Sequence, residues 1–130
     1  MLLPKMISRS ALSPGPSINF SGTWLNELGS TMELIQAGSS LTGFYRSAVS
    51  GTGDAVVGEL AGWADGDLVS FTVNWERTAS LTAWTGQLVG AGAGQRLKTM
   101  WLLVQNVEDP AEASGLWNAT LVGADTFRRI

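Results

Sequence analysis

From Ile18 onward, polar and apolar residues alternate in short runs separated by Gly, Ser, Asn and Asp, and no stretch sustains a helical period. The runs fall at about 19–26, 30–37, 40–49, 55–63, 67–76, 79–89, 95–105 and 114–124. Between them lie "ELGS", "AGSS", "SGTGD", "ADGD", "ERTA", "GAGAG" and "NVEDPAEAS", most of them short enough to close hairpins. Strands joined in this order predict an all-β fold, an antiparallel up-and-down meander. Closing it into an eight-stranded β-barrel removes its two exposed edges. A barrel of that size is just wide enough to hold one small ligand in its open end.

Residues two apart on a strand share a face, so parity predicts which side chains line the barrel. On 67–76, Val69, Phe71, Val73 and Trp75 oppose Leu68, Ser70, Thr72 and Asn74, and the odd face points inward. On 40–49 the face with Leu41, Gly43, Tyr45, Ser47 and Val49 is more apolar than the one with Thr42 and Arg46. Leu121, Gly123 and Asp125 share a parity near the end of the chain. "SLTAWTG" puts Ser80, Thr82 and Trp84 on one face and Leu81 and Ala83 on the other. "LKTMWLLV" is apolar on both sides, with Leu97, Trp101 and Leu103 opposing Met100, Leu102 and Val104. An apolar outer wall, extended by Leu81, Val89, Val122 and Ala124, needs a cover, and the expected cover is another subunit.

Composition narrows the chemistry. Cys and His are both absent, which removes disulfides, thiolate nucleophiles, the commonest general base and the commonest transition-metal ligand. The net charge is −3 and no basic run exceeds Arg128-Arg129, so nucleic acid is not an expected partner. No apolar run is long enough to span a bilayer as a helix. Residues 1–17, rich in Ser and Pro and a poor secretory signal, are expected to be a disordered N-terminal segment ahead of a barrel domain at 18–130. "GAGAG" lacks the context of a phosphate loop, "DGD" lacks the other ligands of a calcium loop, and "NAT" at 118–120 falls in an expected strand.

What remains is the pairing of aromatic and hydroxyl side chains. Six Trp could simply fill a barrel, but Ser80 and Thr82 share a face with Trp84, and Ser47 with Tyr45. A buried hydroxyl without a partner costs about 1–3 kcal/mol, so a face that collects hydroxyls is better read as a pocket whose ligand supplies the partners.

At these residues the chain resembles the avidin–streptavidin family. The matching blocks are "GTWLNELGSTM" (22–32), "LTGFYRSAV" (41–49), "FTVNW" (71–75), "LTAWTGQ" (81–87), "LKTMWLL" (97–103) and "LWNATLVGADTF" (116–127). The resemblance implies a non-enzymatic barrel that binds biotin as a ligand, with no cofactor or metal. It also implies a homotetramer and a secreted or periplasmic location. By the same resemblance Asn26, Ser30 and Tyr45 match donors to the ureido oxygen, while Asp125 and Ser47 match acceptors for the two ureido N–H groups. Thr82 matches the hydroxyl beside the thioether, and Ser80 with the backbone N–H of Gly51 matches the hold on the valerate carboxylate. Trp75, Trp84 and Trp101 match the aromatic walls, completed by Val49 and Leu103, and Trp117 matches a residue donated to a neighbour's pocket. The stretch after Val49 is the family's lid, longer here by about two residues, which implies a larger ordering cost on closure and faster ligand escape. A barrel holding another small amphiphile is the alternative reading, and a hydrolase using Asp125 lacks a nucleophile–base pair.

Overall fold

The computed structural model describes residues 18–48, 55–76, 78–106 and 120–130. Its strands are β1 (Gly22–Asn26), β2 (Thr31–Ala37), β3 (Ser40–Ser47), β4 (Val56–Asp65), β5 (Leu68–Trp75), β6 (Ser80–Val89), β7 (Arg96–Gln105) and β8 (Thr120–Arg129). Each pairs antiparallel with its neighbours in sequence, and β8 returns to β1 to close an eight-stranded barrel. Two tight hairpins place Gly38 at φ 61° and Gly66 at φ 58°, a left-handed backbone that glycine adopts without a Cβ clash. A single 3-10 turn, Gly92–Gly94, occupies the "GAGAG" connection between β6 and β7.

Alternation sets the two sides of the wall as the parity argument requires. Val69, Phe71 and Val73 are buried while Leu68, Ser70, Thr72 and Asn74 are exposed. Ser80, Thr82 and Trp84 are likewise buried, and Leu81 and Ala83 face out. On the outer wall of β6, β7 and β8, Leu81 pairs with Val104 and Leu102 with Val122. Met100, beside them, is 64% exposed and Val122 67%, so this side carries a continuous apolar stripe.

The two ends of the barrel differ. At the base Phe20, Trp24, Leu34, Leu41, Leu88 and Leu97 form a packed core. Strand pairing was expected from residue 19, but β1 starts at Gly22 because side chains take over the bonding before it. Gln36 Oε1 accepts from the Phe20 N–H at 2.8 Å, and Ser21 Oγ accepts from the Gln36 N–H at 2.8 Å. Trp24 Nε1 donates to the Phe20 carbonyl at 2.9 Å, and the Arg129 guanidinium lies 4.4 Å from the Trp24 ring centroid while donating to the carbonyls of Ser21 and Asn19. Residues 18–21 therefore seal the base. At the mouth, inward-facing Trp75, Trp101 and Leu103 are only half-buried, and Leu121 is 52% exposed.

The last strand corrects the expected range of 114–124. It runs to Arg129, since Asp125 does not end it. Phe127 continues the inward parity and pairs with both Leu97 and Asn26. Residues 114–119 and residues 49–54, where the resemblance implies a lid, lie outside the described residues, as does the segment 1–17.

Candidate ligand-binding site

The described candidates all lie on the mouth half of the barrel. Asn26, Ser47 and Trp75 end β1, β3 and β5, Ser80 begins β6, and Asp125 sits midway along β8. Val49, Gly51 and Trp117 lie outside the described residues.

The turn after β1 is built around the Asn26 side chain. Its Oδ1 accepts backbone N–H bonds from Leu28 at 3.0 Å and Ser30 at 2.9 Å, an Asx-type turn. With the amide oxygen thus committed, Nδ2 is aimed inward, where it donates to Tyr45 Oη at 3.2 Å. Asn26 consequently caps the turn with one end and presents a donor with the other. Ser30 Oγ accepts from the Ala48 N–H at 3.1 Å, and Ser30 also hydrogen bonds the Tyr45 hydroxyl.

Tyr45 is the hub of the mouth. Its ring stacks on Trp84 at 4.7 Å and meets Trp75 edge-on at 5.4 Å. Burial above all, with the charges of Asp125 and Glu27 nearby, pushes the phenol well above its ordinary pKa, against downward pulls from Ser30 and Asn26. It therefore stays protonated and able to donate. Behind it Trp84 is sandwiched, its other side stacked on Phe71 at 5.4 Å.

Trp84 Nε1 donates to Asp125 Oδ2 at 2.9 Å, which links the aromatic floor to the acidic side of the site. Burial raises the Asp125 pKa above the usual carboxylate range, and the Glu27 charge adds to this. Hydrogen bonds from Trp84, Trp101 and Asn26 oppose it. Thr99 Oγ1 donates to the Asp125 carbonyl at 3.0 Å and fixes the backbone there. Nearer the rim, Trp75 Nε1 donates to Thr82 Oγ1 at 2.8 Å, leaving the Thr82 proton for another acceptor. The hydroxyls of Thr78 and Ser80 are 2.7 Å apart at the rim, and a concavity of about 410 Å³ beside them reaches the outer wall, where Asn74, Leu81 and Val104 line it.

Trp101 owes its position to a glycine. A Cβ on Gly123, its cross-strand partner, would lie 2.9 Å from the indole Nε1 and nearer still to Cε2 and Cζ2. Gly123→Ala is therefore expected to displace the indole, changing tryptophan emission and weakening ligand binding about tenfold, at a stability cost of about 1–3 kcal/mol. Fluorescence titration and thermal melting read the two effects separately.

Residues not singled out from sequence support the site from around it. Thr99 was accessible by parity, since it shares the face of Leu97 and Trp101. Thr78 and Glu27 sit in turns, where alternation says nothing. Among the described residues, no group of three or more His, Cys, Asp or Glu is placed to hold a metal, and no helix is long and apolar enough to cross a membrane. A concavity of about 520 Å³ lined by Ile35, Phe44, Glu59 and Thr72 lies on the outer wall, apart from these groups.

A closed up-and-down barrel with an amide, hydroxyls and a carboxylate around an aromatic floor defines a small-ligand-binding barrel. Residues 15–130 match the model of the Avidin family, and the chain belongs to that family, whose members are non-enzymatic binding proteins. It is 32% identical over 143 aligned positions to Avidin of Gallus gallus, covering 100% of this chain and 92% of the relative. Afifavidin of Afifella pfennigii is 34% identical over 113 positions, covering 82% of this chain and 67% of that protein. The crystal structure of Xenavidin superposes with a TM-score of 0.72 at 34% identity, over 86% of this chain and 97% of that one.

Proposed function

We propose that this protein binds biotin with high affinity in the mouth of the barrel. The observation that carries this reading is the polar hub itself, in which Asn26 and Ser30 converge on Tyr45 while Asp125, hydrogen bonded by Asn26 and Trp84, adjoins the same aromatic floor. Biotin, the ligand of the avidin family, has the matching order of groups. Its ureido carbonyl takes the donors Asn26, Ser30 and Tyr45. One ureido N–H faces Asp125 and the other Ser47.

Convergent donors favour the resonance form with negative charge on the ureido oxygen, as an oxyanion hole does. Thr82 faces the thioether, and Ser80 with the Gly51 N–H holds the valerate carboxylate. Trp75, Trp84, Trp101, Val49 and Leu103 wrap the apolar body. Aromatic burial at about 25 cal/mol per Å² supplies much of the affinity, while the hydrogen bonds mainly recover desolvation and set identity.

An analogue that lacks the ureido oxygen leaves the donors unpaired, so biotin should be preferred by roughly 10⁴–10⁵-fold. Competition titration measures this, and equal affinity for the two would favour a barrel for another small amphiphile. The apolar outer stripe of β6–β8 supports self-association as a homotetramer in which Trp117 reaches a neighbouring pocket. A secreted or periplasmic location and sequestration of the vitamin complete the reading.

A further inference from the structure

The weakest place in the barrel wall adjoins the polar hub. β1 and β8 are joined through three residue pairs, Trp24 with Arg129, Leu25 with Arg128 and Asn26 with Phe127, and one further backbone bond from the Ile130 N–H to the Thr23 carbonyl at 2.9 Å. Asn26 ends one strand of this seam, and Asp125 lies two residues beyond the last pair on the other. The next rung would match residue 27 with Thr126, but the chain has already turned away around the Asn26 amide. Instead, Glu27 Oε2 accepts the Thr126 N–H at 2.9 Å, and a side chain supplies the missing rung.

We propose that Glu27 is a positioning residue for the ligand site: its carboxylate locks the turn carrying Asn26 and Ser30 to the strand carrying Asp125, and its charge makes the site's hold on ligand sensitive to acid. This rests on the biotin-binding reading for its consequence in binding. The lock acts because the Glu27 carboxylate ties the turn to β8 alongside the hydrogen bond that Asn26 itself makes to Asp125. Without it the seam can open beside Phe127 and the two halves of the polar set lose register.

The charge acts because Glu27 is attached to the residue next to Asp125 and adds to the rise of the Asp125 pKa that burial begins. From β3, Tyr45 faces Asp125 as a neutral phenol, and from β6 and β7 Trp84 and Trp101 face it as N–H donors. Outside the seam the cations Arg96 and Arg128 border, together with Glu27, a cavity of about 210 Å³. The Arg96 guanidinium is itself engaged with the carbonyls of Ala93 and Gln95. Lys98 points outward, opposite Thr126.

The test compares E27Q, which keeps an acceptor for Thr126 but loses the charge, with E27A, which loses both. Carboxyl NMR follows the Asp125 titration in the ligand-free proteins, and biotin binding is measured across pH. For E27Q the Asp125 midpoint and the acid limb of binding should both move down by roughly 0.3–1 pH unit, with neutral-pH affinity within about threefold of wild type. For E27A, biotin should dissociate about tenfold faster at neutral pH as well. An E27Q midpoint that stays put or rises overturns the electrostatic role, and an E27A off-rate equal to wild type overturns the lock. Wild-type protein that takes up no biotin defeats the proposed function instead, and the carboxyl titration together with amide exchange at Thr126 still decides the role of Glu27.

Discussion

Asp125→Ala should weaken biotin binding by roughly 10²–10⁴-fold while the barrel stays folded. The carboxylate already accepts from Trp84 Nε1 at 2.9 Å and from Trp101 and Asn26, and in the proposed complex it takes a ureido N–H as well. Each charge-assisted bond is worth about 1.5–3 kcal/mol, and its loss leaves a buried donor unpaired. In the ligand-free protein the same carboxylate is not a source of stability at neutral pH. Its folded-state pKa is raised, by burial first, so the native state holds the proton more tightly than the unfolded chain. The stabilising contribution is thus present in acid and lost as pH rises through the raised value. Asp125→Asn, which keeps an acceptor for Trp84, should therefore melt no lower than wild type at neutral pH while still binding biotin poorly. Calorimetric titration and thermal melting of both variants check the pair of expectations. Wild-type affinity in Asp125→Ala would remove Asp125 from the site.

Trp84→Ala should produce the largest loss of stability. Trp84 is 3% exposed, lies between the rings of Tyr45 and Phe71, and anchors Asp125. Truncating a buried Trp costs about 3–5 kcal/mol through lost burial and the cavity left behind, or roughly 10–20 °C in Tm for a domain of this size. Trp84→Phe separates the two roles, since it keeps a ring in the stack and removes only the indole N–H. Its melting temperature should fall by much less. The Asp125 pKa should rise further, because one of the hydrogen bonds holding it down is gone. Thermal melts together with a carboxyl titration of Asp125 distinguish the stack from the hydrogen bond.

The alternation of polar and apolar residues carried most of this architecture. On β5 it predicted Val69, Phe71, Val73 and Trp75 inside, and on β7 it placed apolar residues on both faces. It worked because a one-layer barrel wall has two distinct sides, and each slip of one residue would turn the whole hydrophobic set outward. It failed where bonding passes from backbone to side chains. Gln36 and Ser21 replace the first rungs before β1, and Glu27 supplies the rung after it. The extent of β8 was missed because a lone Asp reads as a strand end in sequence, and only its burial against Trp84 explains why the strand continues to Arg129.

For the candidate residues, parity alone identified a mixed hydroxyl and aromatic face, and the family resemblance assigned roles to its members. The double use of Asn26 was not legible. Capping the turn and donating inward look like rival readings until its amide is seen to do one with Oδ1 and the other with Nδ2.

Calorimetric titration of the wild-type chain with biotin is the decisive measurement for the proposed function. Saturable, exothermic binding of one biotin per chain is expected, with affinity falling in acid as Asp125 is protonated. Absence of saturable binding by a folded protein at neutral pH would contradict it.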